Sequence, residues 1–219
     1  MTDYIQSPVA IAADSFAIIR SELRAAGYQL EPPLAAVIER IIHSTADFDF
    51  AKITQTSPGA VEAGLRALRS GCSVITDVRM VQVGISTARL AALGGNLHCF
   101  VADDLTRQRA EAAGVTRSAM GIRLAAEQGL LGNSVIAIGN APTALYEVIR
   151  CIEAGFRPAL VIGVPVGFVS TAESKEALQQ VTAVPWLVTT GRKGGSTVAV
   201  AIVNALLRLA AGGSNLDVD

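Results

Sequence analysis

Histidine is the side chain whose ordinary pKa lies closest to neutral pH, and this sequence of 219 residues contains only two, His43 and His98. His98 falls in an apolar run that predicts a strand, where packing is the simpler role. His43 lies near the end of LAAVIERIIHSTADF, whose apolar spacing predicts a helix with His43 at the edge of its apolar face, over Glu39 and Arg40. The carboxyl end of a helix favours an imidazolium ion, so His43 is a candidate proton donor near neutral pH. The residues alone leave open a simpler role, in which His43 hydrogen-bonds to the last carbonyl groups of its helix.

A glycine-rich turn with two cations, GRKGGS, occupies residues 191–196. Arg192, Lys193 and the backbone amides around Gly194 and Gly195 precede a predicted helix, and the start of a helix attracts anions. The segment does not match the phosphate-binding pattern GxxxxGK[ST], and no GxGxxG follows a predicted strand. It is therefore a candidate anion site without a nucleotide signature. The alternative is a tight turn whose Arg and Lys side chains are solvated.

Three further charged residues lie at predicted element boundaries. Asp77 follows a strand and is either an acidic group of the site or the N-cap of the next turn. Asp103 precedes a helix, where an N-cap is the simpler role. Arg117 begins a helix, and because a cation opposes the helix dipole there, a nearby anion would help to explain it. Ordinary solvation of Arg117 is the alternative.

Short β-branched runs alternate with longer Ala- and Leu-rich segments through most of the chain. Strands are predicted at residues 72–76, 97–101, 134–138, 159–164 and 186–190. Helices are predicted at residues 11–22, 34–44, 58–70, 106–113, 117–128, 142–154 and 197–210. The alternation indicates βα units, so we predict one α/β domain over residues 1–219. It would be a three-layer sandwich, in which helices cover both faces of a mainly parallel β-sheet.

In open α/β sheets, ligands bind where strands end and helices begin, and four such junctions are polar or rich in glycine. The first contains Asp77 and Arg79. The second is GNAPT, where Pro142 suits the first turn of a helix. The third is PVGF, followed by Ser170 and Glu173 at the spacing of a capping box. The GRKGGS turn is the fourth.

Composition argues against several classes of protein. The 18 basic and 19 acidic side chains give a formal charge of -1, which argues against a nucleic-acid binder. The mean hydropathy of +0.44 is high, but the longest apolar stretch, residues 158–169, is shorter than the roughly 20 residues of a membrane-spanning helix. The first residues show no secretory pattern. Three widely spaced cysteines without a ligand motif indicate buried thiols in a reducing compartment, so we expect a cytoplasmic protein that does not enter a membrane.

Seven segments carry a resemblance to a known family. They are SFAIIR, RIIHSTADFDF, DVRMVQVGI, TRSAMG, GNAPTAL, GVPVGFVSTAESKEAL and GRKGGSTVAVAIVNAL. GNAPTAL followed by PVGFVxxAESK is the most specific pair. In this order, and over nearly the whole chain, they resemble the precorrin-8X methylmutase family of corrin biosynthesis.

The resemblance implies an isomerase that moves a methyl group between neighbouring carbons within ring C of a corrin precursor. The implied substrate is precorrin-8X or its cobalt-bearing counterpart, and the implied product is hydrogenobyrinic or cobyrinic acid. The resemblance also implies a homodimer that needs neither a redox cofactor nor a bound metal. It identifies His43 as the residue that protonates the macrocycle, and Ser15 as a substrate contact.

A polycarboxylate with a broad apolar ring needs apolar walls and donors at the rim of its pocket. The predicted rim groups are Arg117, Arg192, Lys193 and the amide of Gly194, with Asn140 and Thr143 on an adjoining strand-end loop. We expect the pigment to pass to or from neighbouring enzymes of its pathway. Two other classes stay open: a carrier that binds a tetrapyrrole without converting it, and an α/β enzyme that binds phosphate or a nucleotide at GRKGGS.

Overall fold

A β-sheet of six strands organises the chain, which a computed structural model describes over residues 6–215. Both ends of the predicted 1–219 domain lie outside the described residues. The strands are β1 (Thr54–Thr56), β2 (Val74–Thr76), β3 (Leu97–His98), β4 (Val135–Ile138), β5 (Leu160–Gly163) and β6 (Trp186–Thr189). Their order across the sheet is β1-β6-β5-β4-β2-β3. All neighbouring pairs are parallel except β1 and β6, so the sheet is mainly parallel, as predicted.

Among residues 6–215, three helices precede β1, one follows β6, and the other seven fill the connections between the strands. The helices are α1 (Pro8–Ala25), α2 (Leu34–Thr45), α3 (Phe50–Ile53), α4 (Ala60–Arg69), α5 (Arg79–Gly84), α6 (Thr87–Ala92), α7 (Asp104–Ala113), α8 (Arg117–Glu127), α9 (Pro142–Glu153), α10 (Thr171–Gln179) and α11 (Ser196–Ala210). Local signals set several of their starts. Ser7 caps α1 by accepting a hydrogen bond from the amide of Ala10, and Pro142 opens α9, where a missing N–H is no loss.

Two apolar cores lie on opposite faces of the sheet. Within β4, Val135 and Ala137 join the core formed with α1, α2, α4 and α11, while Ile136 and Ile138 join the core formed with α8, α9 and α10. This strand is buried on both faces, which is why its sequence is apolar throughout instead of alternating. The predicted three-layer α/β sandwich is therefore confirmed.

Several local predictions were wrong or incomplete. The polar strand β1 was missed because TQT carries no apolar pattern, and β3 contains two residues instead of five. The short helices α3, α5 and α6 were also missed. The capping box at Ser170 does not form: Ser170 has a φ of 58° and its side chain makes no capping hydrogen bond. In this left-handed conformation the hydroxyl does not reach the first amides of α10.

The predictions about cysteines and apolar segments can also be compared with the structure. Cys72 and Cys151 are buried and Cys99 is half-buried, all three as free thiols. Residues 158–169 contain β5 and the loop that follows it, as predicted. Within residues 6–215, no helix combines the length and the apolar character needed to cross a membrane.

Candidate active site

The carboxyl ends of the parallel strands meet at one edge of the sheet, which we call the carboxyl edge. The GRKGGS turn follows β6 at this edge. Thr54, at the start of antiparallel β1, pairs with Thr189, at the end of β6, so the chain preceding β1 reaches the same edge. The ammonium group of Lys193 accordingly lies 2.7 Å from a carboxylate oxygen of Asp47 and 2.6 Å from one of Asp49. The tertiary structure therefore brings the end of α2, with His43, to the carboxyl edge.

His43 lies on the last turn of α2 and is exposed, whereas Ile41 and Ile42 before it are buried. This confirms its predicted place at the edge of the apolar face. The imidazole stacks on Phe16 of α1, with ring centroids 4.8 Å apart and an angle of 15° between the ring planes. Phe16 is fully buried, so it fixes one face of the imidazole while the ring remains open to a ligand.

A groove of about 280 Å³ runs beside His43. It is lined by Ser15, Ile18, Ile19, Glu22, Ile42, His43, Ala46 and Phe48. The hydroxyl of Ser15 donates a hydrogen bond of 2.7 Å to the carbonyl of Ile11, one turn earlier in α1. Its oxygen lone pairs remain available to a ligand donor. The structure thus brings together Ser15 and His43, which are 28 positions apart in the sequence.

The surroundings of His43 lower its pKa below the usual 6.5. Desolvation is the largest cause, followed by the positive charges of Arg40 and Arg208. The guanidinium group of Arg40 lies 4.8 Å from the centroid of the Phe16 ring and donates a hydrogen bond of 2.7 Å to the carbonyl of Asn215. The direction of the shift is opposite to the one expected from the helix end alone, because desolvation and two nearby cations disfavour the imidazolium ion. A lower pKa makes the protonated ring a stronger acid.

The two cations of the GRKGGS turn have different surroundings. Arg192 is exposed, and its guanidinium lies 5.4 Å from the ring centroid of Phe168, in the loop after β5. Lys193 pairs with Asp47 and Asp49, and hydrogen bonding to the two carboxylates raises its pKa. These carboxylates were not among the predicted site residues. Their signal was the acidic end of RIIHSTADFDF, directly after His43.

Gly194 and Gly195 hold the turn against the loop after β5. A Cβ atom on Gly194 would lie 2.3 Å from the carbonyl oxygen of Val164 and 2.8 Å from that of Pro165, so only glycine fits there. The amide of Gly195 donates a hydrogen bond of 2.8 Å to the same Val164 carbonyl. The Gly195 amide is therefore occupied inside the protein, contrary to the expectation that it points at a ligand.

Asp77, at the end of β2, is neither the N-cap of α5, which is Val78, nor exposed to a ligand. It is 2% exposed, and its carboxylate accepts hydrogen bonds of 3.0, 2.8 and 2.7 Å from the amides of Gly139, Asn140 and Ala141. The anion at the start of α9 is thus supplied by the protein itself. The backbone of Asn140 is held by this contact, whereas the residue as a whole is exposed.

Arg117 and Thr143 lie together at the starts of α8 and α9. The hydroxyls of Thr116 and Thr143 are 2.8 Å apart, and Thr116 also caps α8 by accepting from the amide of Ala119. Arg117, the first residue of α8, is exposed, and no carboxylate within residues 6–215 pairs with it. Its charge is therefore free to meet an anionic ligand.

Large apolar side chains are also exposed next to the carboxyl edge. Met80 and Val83 of α5, which follows β2, are 68% and 76% exposed, and Phe168 and Val169, which follow β5, are each 82% exposed. A protein surface rarely exposes large apolar groups together unless they bind something. The described part of the chain has no cluster of three or more His, Cys, Asp or Glu side chains that could hold a metal ion.

Taken together, the fold and these side chains define an α/β domain with an imidazole, exposed arginines and apolar side chains at or beside the carboxyl edge of its sheet. The family model for precorrin-8X methylmutase matches residues 10–209. A cobalt-precorrin-8 methylmutase of Leptospira interrogans is 46% identical over 179 residues, which cover 79% of this chain and 81% of the relative. A precorrin-8X methylmutase of Pseudomonas aeruginosa is 41% identical over 208 residues, 94% of this chain and 98% of the relative. The solved structure of a precorrin-8X methylmutase from Thermus thermophilus superposes with a TM-score of 0.85 at 44% identity, covering 94% of this chain and 98% of that one.

This chain belongs to the precorrin-8X methylmutase family. It is accordingly an isomerase of corrin biosynthesis that catalyses an intramolecular methyl migration. This favours the methylmutase over the carrier and over the nucleotide-binding enzyme that the residues alone left open.

Proposed function

We propose that this protein converts precorrin-8X, or cobalt-precorrin-8, into hydrogenobyrinic or cobyrinic acid, and that His43 is the proton donor. The observation that carries the proposal is the open imidazole of His43, which stacks on the buried Phe16 ring near the cationic turn at the carboxyl edge. A proton donor fixed on one face and accessible on the other suits a flat substrate that must be protonated at a defined place.

The proposed chemical step is the shift of one methyl group between neighbouring ring C carbons. Protonation of the conjugated macrocycle by the His43 imidazolium makes the receiving carbon more electron-poor, and the methyl group moves with its bonding electrons. Because the reaction is an isomerisation, the macrocycle then returns the proton to the imidazole. General acid catalysis of this kind contributes about 10²–10⁴-fold, and holding the ring in the reactive shape adds to it.

The proposed substrate lies along the carboxyl edge. From β6 to β2 this edge spans three strand spacings, about 15 Å, which suits a tetrapyrrole-sized ring. Arg117 and Arg192 would pair with its carboxylates, and Ser15, Asn140 and Thr143 would contribute hydrogen bonds. Lys193 and the Gly194 amide belong to the same proposed rim, although Lys193 must exchange its bonds to Asp47 and Asp49 in order to bind a carboxylate directly.

The direct test is incubation of the purified protein with precorrin-8X and, separately, with cobalt-precorrin-8, followed by absorption spectroscopy and mass spectrometry. We expect a change of chromophore without a change of mass, since an isomerisation conserves every atom. Tight binding of both pigments with no spectral conversion would support the carrier instead. Relatives named for each substrate exist at similar identity, so the ratio of the two kcat/KM values decides which one this protein uses.

The wild-type pH profile is a first prediction. The acid form of His43 is the proposed donor, and that form is lost as pH rises through its pKa, which lies below the usual 6.5 in the free protein. We therefore expect kcat/KM to fall with rising pH across an inflection below about 6.5. The residual rate of His43→Ala should lack this inflection. A kcat/KM that rises through the same range would assign a base, rather than an acid, to this position.

Replacement of Arg117 is a second prediction. Arg117→Ala should weaken binding of the product polycarboxylate by about tenfold or more, because a charge-assisted hydrogen bond at the rim is lost. Absorbance titration measures this Kd. Arg66→Ala, which removes an exposed arginine from α4, is the matched control and should leave the Kd unchanged. If Arg117→Ala binds the product as tightly as the wild type does, Arg117 does not pair with a carboxylate of the pigment.

We further propose that the protein acts as a cytoplasmic homodimer and exchanges its pigment with neighbouring enzymes of the pathway. The exposed side chains of Met80, Val83, Phe168 and Val169 support a partner surface beside the site. Light scattering coupled to gel filtration should give twice the mass of 22.7 kDa. A monomer at micromolar concentration would contradict the dimer and would leave the assignment of the reaction unaffected.

A further inference from the structure

Lys175 of α10 is a fully buried lysine beneath the GRKGGS turn. Its ammonium nitrogen lies 2.7 Å from the carbonyl oxygen of Lys193, 3.0 Å from that of Gly191 and 3.4 Å from the hydroxyl of Thr189. No carboxylate within residues 6–215 pairs with it. Burial lowers the pKa of Lys175 to about 8, so at neutral pH the group is mostly protonated and donates all three hydrogen bonds.

The bonds from Lys175 belong to a set that fixes the whole turn. The Lys193 carbonyl also accepts a hydrogen bond of 2.9 Å from the Thr189 hydroxyl, and the Arg192 carbonyl accepts one of 3.3 Å from the amide of Gly167. Three consecutive carbonyl groups, from Gly191 to Lys193, are therefore bound by donors of the protein. Because the negative ends of these carbonyl dipoles are occupied, the turn repels an anion on its outer side less strongly.

A buried ammonium group is costly, and a methionine would fill nearly the same volume without that cost. The place of the Lys175 ammonium group in the fold indicates its role. Lys175 lies under the turn that carries Arg192 and Lys193, and Lys193 in turn contacts Asp47 and Asp49 at the end of the His43 helix. The contacts thus run from Lys175 through the turn to the segment that follows His43.

We propose that Lys175 is a positioning residue of the active site, whose buried ammonium group gathers the carbonyls of the 191–193 turn and thereby sets the turn in its substrate-binding shape. The inference rests on the proposed function, since it assigns the turn to the carboxylates of the substrate. Lys175 does not touch the substrate. It acts through the backbone of Gly191 and Lys193, and its positive charge adds to the attraction of the turn for a polyacid.

The test is Lys175→Met, which keeps an unbranched side chain of similar volume and removes its charge and donors. We expect KM for the corrin precursor, and Kd for the product acid, to rise about tenfold or more, because a charged hydrogen-bond donor is lost beneath the rim. We expect kcat to change much less, since the proton donor lies elsewhere. This KM-against-kcat split separates positioning of the rim from a general loss of structure, which would lower the active fraction and hence kcat.

Lys52→Met on α3 is the matched control, because it removes the same charge from an exposed lysine and should leave both constants unchanged. If the Lys175→Met variant folds and has the KM and Kd of the wild type, the inference is overturned. If that variant does not fold, Thr189→Val decides. It removes one donor to the Lys193 carbonyl and should raise KM several-fold, whereas an unchanged KM would overturn the inference. Wild-type protein that binds neither corrin precursor would instead overturn the proposed function.

Discussion

His43→Ala is expected to lower kcat by about 10²–10⁴-fold, the usual contribution of a positioned general acid. The variant should still fold and bind the product, because His43 is an exposed residue and is not part of either apolar core. Its ring covers Phe16, so a small loss of stability is the only other effect that we expect. Single-turnover absorption kinetics measure the rate, and titration with the product acid measures binding.

The second histidine of the chain provides the control. His98→Ala removes an imidazole from β3, at the far end of the sheet from β6, where its ring lies near Ser73 and Phe100. Its kcat should stay within a few-fold of wild type if the protein remains folded. Full methylmutase turnover by His43→Ala would remove this residue from the chemistry, even if every other part of the proposal held.

Asp77→Ala is expected to lower the free energy of unfolding by about 3 kcal/mol, because three backbone amides lose a charged acceptor. Burial raises the pKa of Asp77 and the three N–H bonds lower it, with burial the larger effect. The three N–H bonds therefore offset only part of the desolvation that burial imposes on this group. Urea unfolding followed by far-ultraviolet circular dichroism measures the loss.

Substrate affinity should fall as well, since Asp77 holds the backbone of Asn140 and Thr143 follows shortly after the held segment. Asp103→Ala is the matched control. Asp103 is an exposed aspartate at the start of α7 whose side chain makes no capping bond, so its loss should cost no more than about 0.5 kcal/mol. Equal stability of the Asp77 and Asp103 variants would show that the amides of residues 139–141 find other partners.

Much of the architecture could be predicted because its signals are local. The apolar runs of β4 and β5 and the alternation with helices indicate a parallel sheet covered on both faces, and the structure confirms this. Strand β1 was not predictable, because TQT is held in the sheet by pairing with β6 and not by its own composition. The capping box at Ser170 failed for a related reason. The bend after β5 places Ser170 in a left-handed conformation, and a sequence spacing does not encode that constraint.

In the candidate site, too, some features could be predicted from the sequence and others could not. The types and spacing of His43, Arg117 and the GRKGGS turn were visible in the sequence, as was the resemblance that gave them roles. The partners of these groups were not. These partners are Phe16 beneath His43, Asp47 and Asp49 around Lys193, and Lys175 under the turn. They are separated from the groups that they contact by 16 to 146 positions.

By itself, the sequence determined the family, the layered α/β fold and the chemical groups available for catalysis, since these depend on residue type and short-range pattern. Only the tertiary structure decided which charges are already neutralised, which amides are occupied and how the His43 pKa is shifted. The physical reason is that charge pairing, desolvation and hydrogen bonding depend on distances of a few ångströms between side chains that the chain order keeps far apart. As an outcome of that packing, Lys193 and Asp77 have partners inside the protein, whereas Arg117 and Arg192 have no carboxylate partner among residues 6–215.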